Sequence, residues 1–328
     1  MKILILTSRS RVERFTDFNK LPKNWEYVYA KYTDPVEDIL RIGGDADGIL
    51  VDAIGTVSAE LIAGMPNLKM IHSEGVGYEG VDVAAARAAG IDVCNNRGAN
   101  RTAVAEQAVF LMLAVMRRAI VGHRMTLEGR QIEAKVSWSM EGIYELGSRK
   151  VGLIGMGDIG KATAKILHAF GCDVVYYNRH RLSEEAEKEY KVTYLPLDDL
   201  LMEADIVSIH IASTPETKDF MNAEKFAKMK KGSILINTAR GEVVNNEDLL
   251  SALESGILGG AGLDTIAPEP VLKDNPVVNA KPEILDKLVI SPHIGGLTVQ
   301  TFEKIYNTIW SNFKKVEDGE KPCNIVNV

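Results

Sequence analysis

Short apolar runs recur through the first hundred residues, at Ile3–Leu6, Tyr27–Ala30, Gly48–Val51, Met70–His72 and Ile91–Cys94. Helical patterns such as Ala59–Met65 and Val83–Ala89 fit between several of them. Runs alternating with helices predict a small α/β domain built on a parallel sheet. Asn100 then stands as the N-cap of one long helix, RTAVAEQAVFLMLAVMRRAIVGHRM, whose middle is apolar on most faces. A surface helix shows a single apolar stripe. This one is expected to be buried on several sides, against a second domain or a second subunit, and the subunit is preferred over a monomer core.

From Lys150 the rhythm becomes regular. Strand candidates are Val151–Gly155, Asp173–Tyr177, Ile206–His210, Ser233–Asn237, Gly260–Asp264 and Leu288–Ser291, most of them separated by helical patterns. Six strands with crossovers are the plan of a Rossmann-type doubly wound sheet. The pattern from Thr301 to Val316 is helical again and ends in an extended segment, GEKPCNIVNV.

Composition narrows the class. A chain of 328 residues suits two domains, and 46% hydrophobic with 25% charged residues is a globular profile. The net charge of -7 argues against nucleic acid as a partner. The apolar run near Met1 is shorter than the ~7 residues of a secretory core, and no stretch reaches the ~20 residues of a membrane span. Cys94, Cys172 and Cys323 are scattered without CxxC spacing. Neither a disulfide framework nor a metal site is therefore expected, and a reducing cytoplasm fits.

The clearest motif is VGLIGMGDIGKATAKIL, in which Gly155, Gly157 and Gly160 form GxGxxG between a strand and a helix. In that context Gly155 allows a tight turn, Gly157 lets the backbone approach a pyrophosphate, and Gly160 lets helix and sheet pack closely. The helix N-terminus offers N–H groups to phosphates. The following strand ends at Asn178, where NAD enzymes usually carry an acid for the ribose hydroxyls. Asn178 removes that acid's repulsion of a 2′-phosphate, and Arg179 and Arg181 offer it charge-assisted bonds. NADP is therefore the favoured cofactor, with NAD, held through Asn178, as the alternative.

Three polar residues stand at strand ends of this sheet, where ligands bind in such folds. Arg240 follows Ser233–Asn237 and offers a fork of donors to a carboxylate and a carbonyl. Glu269 lies in the Pro-flanked loop of GLDTIAPEP. His293 follows the last strand in VISPHIGG and is a proton shuttle near neutral pH. Singly each reads as an ordinary surface residue. Together they provide a carboxylate clamp, a proton donor and a carboxylate to tune it, the needs of hydride transfer to a 2-oxo acid.

With these motifs in place the chain resembles the D-isomer-specific 2-hydroxyacid dehydrogenases, from GVGYEGVD to the PCNIVN tail. The segment HIASTPETKDFMNAEKFAKMKKGSILINTARG is similar to a family signature. The resemblance implies a discontinuous, flavodoxin-like substrate domain (1–99 and 298–328) around an inserted dinucleotide domain (100–297). It implies a homodimer formed through the helix near Arg101, and Arg240, Glu269 and His293 as catalytic residues. Val76 and Gly77 would meet the substrate carboxylate through backbone N–H groups. Cofactor contacts would fall on Asp158, Ile159, Asn178, Ile211, Ala212, Thr217, Thr238, Ala239 and Asp264, the last reaching the nicotinamide carboxamide. Asn178, Ala212 and Ala267 depart from the family's usual acid, proline and glutamate. Ser73, where phosphoglycerate dehydrogenases tend to have arginine, and the absence of a regulatory domain before Val328 speak against that branch. Glyoxylate and hydroxypyruvate are the first substrate candidates. Two rivals share the fold: a formate-type dehydrogenase, against which Glu269 speaks, and an NAD(H)-binding corepressor-like sensor.

Overall fold

The computed structural model describes residues 1–327. The chain divides into two compact units, one of Met1–Ala99 with the residues from Leu297 onward, the other of Asn100–Gly296.

In the first unit five strands run parallel: β1 (Lys2–Leu6), β2 (Glu26–Tyr29), β3 (Gly48–Val51), β4 (Met70–Ser73) and β5 (Asp92–Cys94). Their order is β2-β1-β3-β4-β5, the flavodoxin-like winding, whose direction reverses between β1 and β3. Side chains alternate faces along a strand. Leu4 and Leu6 join one core with Ile49, Val51, Ile71 and Val93. Ile3 and Ile5 face the other, against Ile305, Ile309 and Phe313 of the helix Val299–Glu317. Both faces are covered, which is why these strands are apolar at nearly every position. The chain's end returns to the same sheet: the Val326 N–H donates to the Val93 carbonyl at 2.8 Å.

The second unit holds seven parallel strands: β6 (Lys150–Ile154), β7 (Asp173–Tyr177), β8 (Thr193–Tyr194), β9 (Ile206–Ile209), β10 (Ser233–Asn237), β11 (Leu258–Leu263) and β12 (Leu288–Ile290). Their order, β12-β11-β10-β9-β6-β7-β8, is the doubly wound arrangement expected, with its switch point between β6 and β9. One strand more is present than the pattern predicts. The extra strand, β8, has two residues at the sheet's edge, too few for an apolar run.

The long helix is two helices. Arg101–Met116 stops, Arg118 takes a left-handed conformation (φ 48°), and Ala119–Leu127 restarts. Neither glycine nor proline marks the break. Arg118 instead pairs with Glu141 at 2.6 Å and lies over the Trp138 ring. Asn100 holds the N-cap position without a side-chain capping bond. The first of the two helices is covered inside its own unit, on β10, β11 and the helix Asp158–Ala169. Gly260 and Gly262 permit that approach, since a Cβ on either would lie 2.7 Å from Val115 or 2.8 Å from Leu111. The uncovered apolar surface lies instead on Ala119–Leu127 and the next helix, Gln131–Glu141. Together they bury only Ala134 and leave Leu127 76% and Met140 85% exposed.

Candidate active site

The glycine-rich turn links β6 to the helix Asp158–Ala169 at the switch point. Gly155 has φ +104°, and a Cβ there would strike the His210 carbonyl oxygen at 2.6 Å. A Cβ on Gly160 would sit 2.1 Å from the Gly155 oxygen, whereas one on Gly157 would meet nothing within 4 Å. The first and third glycines are thus needed by packing, and the second faces open space, where a phosphate can approach the backbone. Asp158 and Ile159 form the first turn of the helix. Ile211 lies against the turn, and Thr217 closes the neighbouring loop by donating to the Ala212 carbonyl at 2.7 Å.

Asn178 follows β7, and its Oδ1 accepts the Met156 N–H at 2.8 Å, bracing the turn. Arg179 is exposed. Arg181 makes two parallel 2.8 Å bonds to Glu187 and lies over the Tyr194 ring. A phosphate clamp that used Arg181 would have to draw it from Glu187.

Three buried polar atoms without a protein partner follow successive strands of this sheet: His210 Nδ1 after β9, Thr238 Oγ1 after β10 and Thr265 Oγ1 after β11. Buried polar groups are nearly always bonded, so a row of orphans at the carboxyl edge fits a polar ligand there. Burial holds His210 neutral, with its pKa lowered to about 4. Its Nε2 lies 3.0 Å from Ser208 Oγ.

Arg240 follows β10 in a loop fixed by Asn237, whose Nδ2 donates to the Arg240 carbonyl at 2.9 Å and whose Oδ1 accepts the Ala239 N–H at 3.0 Å. Gly241 presses against the next loop, where a Cβ would lie 2.2 Å from the Ala267 nitrogen. That loop continues through cis Ala267–Pro268 and Glu269–Pro270 peptides. It places Glu269 Oε2 2.9 Å from His293 Nδ1, both side chains remaining partly exposed. The His293 pKa is raised above its usual value, first by this hydrogen bond and then by the Glu269 charge, against partial burial and the charge of Arg240. The three residues picked from separate strand ends are thereby brought to one place.

Asp264 is engaged by the loop that carries His293. Its carboxylate, 3% exposed, accepts Ser291 Oγ at 2.5 Å and the N–H groups of Ile294 (3.0 Å) and Gly295 (2.8 Å). Its backbone carbonyl accepts the His293 N–H at 2.9 Å. Gln107 Nε2 donates to Ser291 Oγ at 2.9 Å. Asp264 therefore clamps the loop that carries His293, which holds a left-handed φ of 55°. Sequence reading missed Ser291 and Gln107. Ser291 stands two residues from the histidine, but Gln107 lies 184 residues from its partner and carries no local signal.

In the first unit the loop after β4 is held by side chains. Ser73 Oγ donates to the Gly77 carbonyl at 2.5 Å, Asn95 Nδ2 to the Val76 carbonyl at 2.8 Å, and the Asn96 N–H to the Gly75 carbonyl at 2.8 Å. No acceptor among the described residues takes the N–H groups of Val76 and Gly77.

Comparisons with known proteins identify the family. The family described as D-isomer specific 2-hydroxyacid dehydrogenase, NAD binding domain, matches residues 109–295. A glyoxylate reductase of Korarchaeum cryptofilum is 35% identical, covering 100% of this chain and 96% of its own. One from Thermofilum pendens is 36% identical over 89% of this chain and 84% of its own. The structure of a D-lactate dehydrogenase from Aquifex aeolicus, complexed with NAD and lactic acid, superposes with a TM-score of 0.78 at 28% identity, covering 98% of this chain and 96% of that one.

Proposed function

Because the chain belongs to the D-isomer specific 2-hydroxyacid dehydrogenase family, we propose that it reduces small 2-oxo acids, glyoxylate and hydroxypyruvate foremost, with NADPH as the preferred reductant. The enzyme class itself is a nicotinamide-linked dehydrogenase acting on the 2-oxo/2-hydroxy acid couple. The observation that carries the reading is the His293–Glu269 pair at 2.9 Å, close enough to Arg240 for that charge to be felt at the imidazole. The glyoxylate reductases among its relatives support the choice of substrate.

The Gly155–Gly160 turn and Asn178 would hold a nicotinamide dinucleotide, which would supply the hydride for C2 of the substrate. Arg240 binds the carboxylate and polarises the carbonyl through its fork of N–H donors. The N–H groups of Val76 and Gly77, which no acceptor among the described residues takes, are assigned to the carboxylate. His293 in its protonated form gives a proton from Nε2 to the developing alkoxide, because Nδ1 is engaged by Glu269. Glu269 stabilises the imidazolium and fixes the ring. In oxidation His293 starts neutral and receives the proton. Formate oxidation needs no proton donor, so a histidine tuned by glutamate disfavours it.

NADPH is favoured by Asn178, which brings no negative charge to the ribose, and by the exposed Arg179. We further assign the apolar surface of Ala119–Leu127 and Gln131–Glu141 to a second copy of the chain. Three free cysteines fit a reducing, cytoplasmic setting. The cofactor assignment is tested by steady-state kinetics on glyoxylate and hydroxypyruvate with each reductant. The expected result is a kcat/KM for NADPH on the order of tenfold above that for NADH, about one charge-assisted bond's worth. A clear preference for NADH overturns it.

A further inference from the structure

At the carboxyl edge of the first unit's sheet, beside its switch point, three consecutive neighbours in the sheet end in polar residues. Thr7 follows β1, Asp52 follows β3 and Glu74 follows β4. Glu74 is 4% exposed, yet its carboxylate is met on every side. Arg11 Nε donates to Oε1 at 2.7 Å and Arg11 Nη2 to Oε2 at 2.5 Å. Thr7 Oγ1 donates to Oε2 at 2.6 Å, and the Tyr306 hydroxyl donates to Oε1. Arg11 also reaches Asp52 Oδ2 at 2.6 Å and lies over the Phe302 ring. One half-buried guanidinium thus bridges two carboxylates and offsets one of their two charges.

The position of this cluster is what matters. The residues directly after Glu74 are Gly75, Val76 and Gly77, whose last two N–H groups are assigned above to the substrate carboxylate. A buried anion one peptide from an anion-binding loop works against binding, because charges in a low-dielectric setting act over several ångströms. A carboxylate with four donors from Arg11, Thr7 and Tyr306 exerts far less of that field, and the same bonds fix the loop's point of departure from β4. We infer that Arg11 is a positioning and charge-compensating residue for the Gly75–Gly77 loop, offsetting the charge of Glu74 and tying Asp52 to the same guanidinium so that the loop can receive the substrate's carboxylate. This rests on the 2-oxo acid reading.

The test compares Arg11→Met, Glu74→Gln and the double variant in KM for glyoxylate and inhibition by oxamate, a non-reducible carboxylate analogue. Arg11→Met strands both acids and is expected to raise the glyoxylate KM and the oxamate Ki on the order of tenfold. The KM for the dinucleotide should not move, and kcat should change much less. Glu74→Gln removes the anion and leaves Arg11 with Asp52, so its effect is smaller. The double variant should recover toward Glu74→Gln in glyoxylate KM and oxamate Ki, with the dinucleotide KM unmoved throughout, whereas a merely structural pair would not shift carboxylate affinity selectively. Tyr306→Phe leaves the ion pair intact and removes one donor from Glu74. It should raise KM in the same direction by a few-fold, and it decides the matter if Arg11→Met does not fold. Unchanged glyoxylate KM in folded Arg11→Met or in Tyr306→Phe, or a double variant worse than Arg11→Met, overturns the inference. A wild-type protein that reduces no 2-oxo acid overturns the reading beneath it instead.

Discussion

Glu269 and His293 show how a weak local signal becomes chemistry. Neither residue is unusual alone, and both side chains are partly exposed. The hydrogen bond that His293 donates to Glu269 raises the His293 pKa, so more of the imidazole is protonated at neutral pH. If His293 is the proton donor proposed above, reduction needs the protonated form, and its rate should be full below the raised pKa and fall as pH climbs through it. Glu269→Gln removes the largest cause of the shift. The falling limb of kcat/KM for reduction should then move to lower pH, and the rising limb for oxidation should move with it. A pH–rate profile in both directions checks this, and limbs that stay in place would show that Glu269 does not tune the histidine. The same residues mark what a sequence can tell. Arg240 and His293 were legible because each stands three residues past a short apolar strand, Ser233–Asn237 and Leu288–Ile290. The hold that Asp264, Ser291 and Gln107 exert on the histidine loop was not, because it joins positions far apart in the chain.

Among the elements, the parallel strands were the most readable. The central ones are buried on both faces, so their apolar character survives in every frame. Thr193–Tyr194 escaped because two residues at an edge carry no period. The break at Arg118 escaped because its cause is tertiary, an ion pair to Glu141 and a ring contact with Trp138, and not a helix-breaking residue. That break has a consequence for assembly. It turns the chain away from a helix already covered and displays Ile120, Leu127, Ile132, Val136 and Met140, each more than half exposed. Burying an aliphatic side chain contributes roughly 1.5–3 kcal/mol, so a matching surface on a second copy would be well rewarded. The wild-type chain should sediment as a dimer, and Ile132→Glu with Met140→Glu should convert it to a monomer at micromolar concentration. A wild-type monomer, or a double variant still dimeric, would remove this surface from the account.

At the scale of the whole molecule, two doubly wound sheets are strung on one chain, and each carries its polar residues at the carboxyl edge. The fold class was written in the sequence because both halves obey the same rule, apolar strand then polar turn. Only the second half announces its ligand, through GMGDIG. The first half hides its charged cluster, since Arg11, Asp52 and Glu74 meet only after three strands have paired. Fold alone does not separate a dehydrogenase from a dinucleotide sensor, whereas turnover does. The direct measurement is the stoichiometry and product of a reaction between the wild-type protein, NADPH and hydroxypyruvate, run beside His293→Gln. The account predicts one NADPH oxidised for each D-glycerate formed. It predicts a kcat lowered by about 10²–10⁴-fold in His293→Gln, with the dinucleotide still bound. Binding of the dinucleotide without its oxidation by any 2-oxo acid, or near-wild-type turnover in His293→Gln, would contradict it.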